Sequence, residues 1–338
     1  GSTTELIKVE SDILKSEFEG QESQPELEET PEEELPPPSP EELALEQIRQ
    51  LLDDPNKTPT QILNKAQQLT QTREETTLRD EGRLVVWDEF LQETVNDDYD
   101  WLIPGLLERR ERVMVVAAEG VGKTMLARQV AICSGLGVNP FTFQKMPQIR
   151  TLTVDLENPE RIIRRTSRNI VGAAKSMGFA DKMHAHLFIK PDGLDLLNAH
   201  DRILLEQHIE ETKPDMLVMG PLYKAFLDPG TRTSEAVAVE VARYLDTLRT
   251  IYGCALWLEH HAPLGSSMTS RELRPFGSAV WSRWPEFGLA LQPDPTHMGE
   301  YVYEVNHFRG ARDIRYWPLQ MKRGKKFPFE VTQFMDVS

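Results

Sequence analysis

Three consecutive residues, Gly122, Lys123 and Thr124, have the types and spacing that bind the phosphates of a nucleotide. An apolar run, residues 112–117, precedes them and an apolar helical pattern follows. In such a strand–turn–helix unit, backbone N–H groups face a triphosphate, the lysine neutralises the β- and γ-phosphates and the hydroxyl holds Mg²⁺. Ala117 stands where the pattern expects its first glycine, which costs little if φ is negative there. We therefore predict ATP and Mg²⁺ as ligands. The predicted nucleotide-binding residues are Ala118, Glu119, Gly120, Val121, Gly122, Lys123, Thr124 and Met125.

A pair of carboxylates ends the second apolar run, residues 150–156. Glu157 would lie at the carboxyl edge of a parallel sheet, where such sheets bind ligands, and could orient a water molecule for attack on the γ-phosphate. Asp155 would share a strand face with Glu157 if the strand continued that far. We predict Glu157 as a catalytic residue and Asp155, together with Thr124, as a metal-side residue.

The fourth apolar run, residues 215–219, should end in a carboxylate on the magnesium side, but Gly220 stands there. Asp215 lies at the other end of the run and cannot substitute. Two alternatives follow. Either Thr124, the phosphates and water molecules hold Mg²⁺ with help from the carboxylates that end the second run, or nucleotide turnover is weak.

Two histidines end the next strand-like run. His260 or His261 could contact the γ-phosphate and report its presence to the following loop, residues 263–276. That loop carries small, polar and basic residues, including Arg271 and Arg274, which suit contact with a phosphate backbone. A solvated surface loop is the alternative.

An arginine-containing turn lies near the C-terminus, at residues 306–312. Arg309 could reach from this turn to a neighbour's nucleotide and stabilise charge in the transition state. Arg312 is the alternative residue for this role.

The elements that must position these residues alternate between strand and helix. Apolar runs separated by helices predict βαβ units and a mostly parallel, buried sheet, which places the chain in the α/β class. Four later runs, separated by short turns, predict antiparallel strands that extend the sheet. The first runs are residues 112–117, 150–156, 185–190, 215–219 and 254–259, the helices 123–135, 159–177, 200–212 and 234–251, and the later runs 286–292, 300–308, 314–320 and 328–334.

The first 80 residues differ from the rest, since they carry 20 acidic and 7 basic residues of the chain's 54 and 38. Residues 1–38, rich in Glu, Ser, Gln and Pro, are predicted to be a disordered acidic tail. Capped short helices follow within residues 39–79, and their apolar faces would dock on their own core or on a neighbouring subunit. Residues 80–338 are predicted to form the ATPase domain.

The remaining composition points to the cytoplasm. Cys133 and Cys254 are the only cysteines, far apart and in apolar settings, so we expect no disulfide framework. No apolar run approaches the length of a membrane span, and we expect no membrane partner. The net charge of −16 comes mostly from the first 80 residues, so it does not exclude a nucleic-acid partner for the rest.

The order of these segments resembles RecA-like AAA ATPases, in particular the replicative helicase-like ATPases of actinobacterial phages and the related hexameric helicases of plasmids. The resemblance covers residues 80–335. It rests on Trp101 to Pro104, Ala117 to Thr124, Val154 to Glu157, Met219 to Lys224, His260 and His261, Arg274 to Ser278 and Arg283 to Gly288.

The resemblance implies a homo-oligomeric ring or spiral of RecA-like subunits, such as a hexamer, with ATP between neighbours. By position, Lys123 matches the phosphate-binding lysine and Glu157 the catalytic glutamate. His261 matches the residue that links the γ-phosphate to DNA loops, and Arg309 matches the arginine supplied in trans. His307 stands where the family usually has a basic residue.

The expected function is therefore an ATP-hydrolysing motor on single-stranded DNA, a phage replicative helicase in the bacterial host cytoplasm. Its DNA-facing loops would be residues 224–234 and 263–276, and the basic residues proposed there are Lys224, Arg232, Arg271 and Arg274. A RecA/RadA-type recombination ATPase that forms filaments is one alternative. A nucleotide-switched helicase loader with little turnover is another, and the N-terminal region could bind a replisome or loader protein.

Overall fold

In a computed structural model of the protein, the described residues are 83–177, 182–226, 232–262, 275, 277–297, 299–310 and 315–336, together with Arg49. From residue 83 on they belong to one compact unit, which spans residues 58–338. In the other unit, residues 1–57, the structure describes Arg49, which is helical and exposed. The predicted tail over residues 1–38 and the predicted helices over residues 39–79 otherwise lie outside the described residues.

From β3 to β7, the described elements alternate between strands and helices as the sequence predicts, with bounds that differ by at most two residues. The strands are β1 (Trp101–Ile103), β2 (Leu107–Glu108), β3 (Arg112–Ala117), β4 (Thr151–Asp155), β5 (Ala185–Ile189), β6 (Met216–Gly220), β7 (Ala255–His261), β8 (Phe287–Pro293), β9 (Val302–Arg309), β10 (Pro318–Arg323) and β11 (Phe329–Phe334). The helices are α1 (Trp87–Leu91), α2 (Lys123–Gly135), α3 (Glu160–Ser176), α4 (Ala199–Thr212), α5 (Ser234–Tyr252) and α6 (Val280–Arg283), and short 3₁₀ helices cover Leu222–Lys224 and Pro295–His297.

One large sheet has the strand order β11-β10-β9-β8-β3-β7-β6-β4-β5. The strands from β8 to β5 in this order are parallel, and β9, β10 and β11 extend the sheet in antiparallel pairs. This confirms the predicted α/β class with a mostly parallel sheet. One strand differs, because the run predicted as antiparallel at residues 286–292 is β8, which is parallel to β3. The connection from β7 to β8, residues 262–286, is long enough for the crossover that a parallel pair requires.

Strand β3 lies in the interior of the sheet, between β7 and β8. Val113 and Val115 pack on one face with helix α2, whereas Met114 and Val116 pack on the other with α4 and α5. Burial on both faces explains why the run is apolar throughout. The loop that follows β3 is therefore anchored by a well-packed strand at one end and by α2 at the other.

The cysteine and membrane predictions can be compared with the described residues. Cys133 and Cys254 are free and buried, and burial raises the pKa of each thiol to about 12. Of the described helices, none has both the length and the apolar character needed to cross a membrane.

Candidate nucleotide-binding site

The loop between β3 and α2 has the geometry of a phosphate-binding loop. Gly120 and Gly122 have φ values of 80° and 110°, in the left-handed region that favours glycine. Ala117 ends β3 and is not among the residues with positive φ, so alanine is accommodated there as expected. Helix α2 begins at Lys123, and its free N–H groups therefore face the loop.

The Lys123 side chain folds back across this loop. Its Nζ donates a hydrogen bond to the Ala117 carbonyl oxygen at 3.1 Å, and the side chain is buried. Burial lowers the pKa of Lys123, while the charges of Glu259, Glu157 and Glu119 oppose this shift. The charges of these three carboxylates thus act on the Lys123 ammonium. A bound triphosphate would bring further negative charge to the same group.

A second cation, Arg323 at the end of β10, holds the loop from the other side. Its Nη2 donates to the Val121 carbonyl oxygen at 2.8 Å, and its guanidinium lies 4.5 Å from the centre of the Phe329 ring. A Cβ atom on Gly122 would collide with this guanidinium. The φ of Gly122 therefore favours glycine there, and a larger residue would also displace the Arg323 guanidinium.

The first hydroxyl of α2 contacts an acid that the sequence analysis did not single out. Thr124 Oγ1 donates to Glu259 Oε2 at 2.8 Å, and Glu259 lies in β7 at 3% exposure. Burial raises the pKa of Glu259 to about 7, against the hydrogen bond from Thr124 and the charge of Lys123, which lower it. A Cβ atom on Gly220 would lie 2.5 Å from Glu259 Cβ and 2.8 Å from its Cγ and Cδ. The Glu259 side chain therefore occupies the space that a side chain at Gly220 would need.

Asp155, predicted on the metal side, is engaged elsewhere. Its Oδ2 accepts from Arg128 Nη2 at 2.8 Å in a buried ion pair. Its Oδ1 accepts from the backbone N–H groups of Glu157 and Asn158 at 3.2 and 2.8 Å, and from the Asn158 side chain. Strand β4 ends at Asp155, so Glu157 belongs to the following turn and not to a shared strand face. This arrangement makes Asp155 the residue that fixes the turn carrying Glu157.

Glu157 is joined to a tyrosine and a histidine. Tyr223 donates its hydroxyl hydrogen to Glu157 Oε1 at 2.9 Å, and its ring meets the His261 ring edge-on at 5.1 Å. Burial, followed by the hydrogen bond to Glu157, raises the pKa of Tyr223 to about 12, so the phenol stays a donor near neutral pH. Three side chains from three different chain segments therefore meet at the carboxyl edge of the sheet.

The two histidines after Glu259 have different surroundings. His260 Nδ1 donates to the His261 carbonyl oxygen at 2.9 Å, and burial lowers the pKa of His260 to about 4. His261 ends β7 beside Ala117, and its buried Nε2 has no hydrogen-bond partner in the described part of the chain. Burial also lowers the pKa of His261. His261 thus has an unpartnered ring nitrogen beside the end of β3, which the phosphate-binding loop follows.

Arg309 lies far from its own loop. It ends β9, pairs with Gly288 of β8, and donates from Nε to the Pro285 carbonyl oxygen at 3.3 Å. Gly288 is in register with Met114, three residues before the end of β3 and so roughly 10 Å from it. Nearby, His307 donates from Nε2 to the Pro318 carbonyl oxygen at 3.0 Å, and burial lowers its pKa. Arg312, the alternative residue, lies outside the described residues.

Two of the four predicted DNA-contacting residues are described. Lys224 Nζ donates to the Pro191 carbonyl oxygen at 3.0 Å, next to the site. Arg232 forms a 2.7 Å ion pair with Glu240 and remains partly exposed. Arg271 and Arg274 lie outside the described residues, as does most of the loop over residues 263–276.

The donor set at Thr124 fits a magnesium ion shared with phosphates. Within the described residues, no group of three or more His, Cys, Asp or Glu could hold a metal without other ligands. Mg²⁺ takes one or two protein oxygens plus substrate phosphates and water, and Thr124 Oγ1 with Glu259 supplies those oxygens. The chemistry of the donors therefore suits Mg²⁺ bound together with a nucleotide.

Three residues that sequence reasoning missed complete the site: Glu259, Tyr223 and Arg323. The sequence did contain a signal for Glu259. It is an acid within an apolar strand, and that strand runs beside the strand that lacks the expected carboxylate at Gly220. The roles of Tyr223 and Arg323 depend on contacts across 66 and 202 residues of sequence, which no local pattern indicates.

Comparison with known proteins agrees with this geometry. A family model described as an AAA domain matches residues 67–266, more than half of the chain. The matched region includes the loop, Glu157, Tyr223, Glu259 and His261. No curated protein sequence matches the chain.

Proposed function

Since the chain belongs to the AAA domain family of P-loop ATPases, we propose that it is an ATP-driven motor on single-stranded DNA. The motor works as a ring or spiral of identical subunits and serves as the replicative helicase of a phage. The observation that carries this proposal is the division of the site between two edges of the sheet. Lys123, Glu157 and Glu259 lie at the carboxyl edge, whereas Arg309 lies toward the opposite one.

Hydrolysis follows from the groups at the carboxyl edge. Water attacks the γ-phosphorus in line with the bond to ADP, and that P–O bond breaks as the new one forms. Glu157 orients the water and accepts its proton, while Lys123 stabilises the charge on the phosphate oxygens. Bound Mg²⁺ would supply further charge neutralisation at the phosphates, held by Thr124.

Assembly of several copies explains two features of the single chain: the distance of Arg309 from its own loop and the exposed apolar side chains near α1. Arg309 cannot reach its own loop across the sheet, but a neighbouring copy can present it to the γ-phosphate. Helix α1 has no buried residue. Apolar side chains in and beside this helix are exposed, which suits contact with another subunit. These side chains are Leu84, Val86, Trp87, Leu91 and Val95.

Coupling to DNA is supported by the position of Tyr223 and His261. Both contact each other, Tyr223 contacts Glu157, and they immediately precede residues 224–234 and 263–276. A change at the γ-phosphate therefore passes through two rings to the start of both proposed DNA loops. The basic residues Lys224 and Arg232 of the first loop serve as contacts to the DNA backbone.

The first test is steady-state ATP turnover with and without single-stranded DNA, followed by separation of a forked duplex. We expect turnover that rises with DNA, and strand separation in the presence of ATP. ATP binding without turnover on any DNA would favour the loader alternative. Pairing of homologous strands by filaments would favour the recombination alternative.

The trans arginine is tested by mixing two inactive variants. Lys123→Ala should bind nucleotide poorly and lose turnover at least about 100-fold, and Arg309→Ala should lose about 1,000-fold while still binding nucleotide. Mixed oligomers contain interfaces with an intact Lys123 from one copy and an intact Arg309 from its neighbour, so part of the activity should return. Arg283→Ala, on α6, is the matched surface control. No recovery on mixing, with oligomers demonstrably mixed, would remove Arg309 from the site.

A further inference from the structure

We propose that Glu259 is the magnesium-side carboxylate of this ATPase, and that Gly220 is a glycine because any side chain there would displace it. The inference rests on the proposed nucleotide binding at Lys123 and Thr124. The sequence left two alternatives at Gly220, namely magnesium held with help from the carboxylates after β4 or weak turnover. The proposed role of Glu259 replaces both, because an acid from the neighbouring strand occupies the position.

The alternation of side chains places the two residues on the same face of the sheet. In β7, Trp257 packs on the face covered by α2, whereas Leu256 and Leu258 pack on the other. Glu259, two residues after Trp257, therefore points toward α2. In β6, Val218 packs on that same face, so a side chain at Gly220 would point there too.

Gly220 and Glu259 exclude each other's side chains. Met219 is in register with Leu258, which puts Gly220 beside Glu259 at the ends of adjacent parallel strands. A Cβ atom at Gly220 would lie within 2.8 Å of three carbon atoms of Glu259, closer than side chains pack. An aspartate at Gly220 and the present Glu259 conformation cannot coexist, so the chain has one carboxylate at this point, and β7 supplies it.

The contact with Thr124 is the one a magnesium-binding hydroxyl needs. A hydroxyl has one hydrogen to donate and two lone pairs. Thr124 Oγ1 donates its hydrogen to Glu259 Oε2, so its lone pairs would be available to a cation. Among the described residues, Thr124 is the hydrogen-bond partner of the Glu259 carboxylate, and the other carboxylate oxygen would be available to the ion.

The experiment measures how Mg²⁺ changes nucleotide binding, so it does not depend on turnover. The probe is a fluorescent ATP analogue, titrated in EDTA and in excess Mg²⁺, and Mn²⁺ binding followed by electron paramagnetic resonance reports the metal itself. In the wild type we expect Mg²⁺ to strengthen binding. In Glu259→Gln, which keeps the shape but loses the charge, we expect at least a tenfold loss of this Mg²⁺ effect with binding in EDTA unchanged within twofold.

Two further variants test the exclusion. Gly220→Ala should reduce the Mg²⁺ effect, because the added methyl group displaces the Glu259 side chain. The exchange Gly220→Asp with Glu259→Gly moves the carboxylate to β6 and removes all three clashing carbons, and we expect it to recover most of the Mg²⁺ effect. Glu300→Gln, an exposed glutamate outside the site, is the control for a change of charge.

The outcomes separate this inference from the proposed function. A wild type that binds no nucleotide overturns both. Nucleotide binding with a normal Mg²⁺ effect in Glu259→Gln overturns the assignment of Glu259 and leaves the ATPase intact. If Glu259→Gln does not fold, the variant with Gly220→Asp and Glu259→Gly is the test. A Mg²⁺ effect in that variant supports the assignment of Glu259. A folded variant that shows no Mg²⁺ effect overturns it.

Discussion

Replacing Asp155 by asparagine should destabilise the domain while leaving the effect of Mg²⁺ on nucleotide binding intact. Asp155 accepts hydrogen bonds from Arg128 and from the backbone N–H groups of Glu157 and Asn158. Asparagine has nearly the same shape, so its side-chain oxygen can still accept from the two backbone groups. The change removes the negative charge opposite Arg128 and also the hydrogen bond from Arg128 Nη2, because the amide nitrogen that takes the place of Oδ2 can only donate.

The magnitude follows from the burial of the pair. The side chains of Arg128 and Asp155 are 6% and 2% exposed, and Arg128 Nε has no hydrogen-bond partner in the described part of the chain. Removing one charge of such a pair costs about 3–5 kcal/mol, because the other charge stays buried without compensation. In a domain of this size, that loss lowers Tm by roughly 6–20 °C.

The assay is thermal unfolding of the nucleotide-free protein, combined with nucleotide binding in EDTA and in Mg²⁺. Arg128→Met combined with Asp155→Asn removes both charges and should recover at least about 1 kcal/mol of the lost stability. Glu160→Gln breaks an exposed ion pair with Arg164 and should cost less than about 0.5 kcal/mol. An Asp155→Asn protein with unchanged Tm and no Mg²⁺ effect would return Asp155 to the metal-side role that the sequence suggested.

Two further predictions concern coupling and assembly. Tyr223→Phe removes the hydroxyl that donates to Glu157 but keeps the ring against His261, so ATP turnover stimulated by single-stranded DNA should fall about tenfold with nucleotide binding unchanged. Equal DNA stimulation in this variant and the wild type would rule out a role for the Tyr223–Glu157 hydrogen bond in coupling ATP turnover to DNA. Deleting residues 1–75 should weaken oligomers measured by light scattering, because the helices predicted within residues 39–70 are proposed to latch onto an adjacent subunit. Unchanged oligomers would refute the proposed contact between these helices and an adjacent subunit.

Much of the fold was predictable from local patterns. Helix α2 has the predicted bounds, Lys123–Gly135, because a positive-φ glycine precedes it and a glycine ends it. Helix α5 ends as predicted within one residue, since Gly253 adopts the left-handed conformation that closes a helix. The direction predicted for β8 was wrong, because an apolar run has the same pattern whether its neighbour is parallel or antiparallel. Direction depends on the path of the preceding connection.

The candidate site was predictable only where one motif contains its parts. The loop carries its own glycines, lysine and threonine, so its chemistry is readable in sequence. Glu259 was missed because its role depends on which residues of β6 and β7 stand side by side, and register is set by the whole sheet. The metal-side role of Asp155 stays a prediction, and its buried ion pair with Arg128 on α2 could not be read from the sequence because it joins residues of different elements.

Gly220 and Glu259 together explain why the acid lies on β7. Partners on one face of adjacent strands ordinarily hold two side chains side by side, as Val218 and Trp257 do. At Gly220, however, a Cβ atom would lie 2.5 Å from Glu259 Cβ, so one side chain occupies this point. Moving the acid from β6 to β7 leaves it within reach of the α2 hydroxyl, because β7 lies directly beside β3. With the proposed assignment of Glu259, the glycine at position 220 reflects relocation of the acid and not loss of function. Relocation requires an acid at the register partner, and Glu259 meets that requirement here.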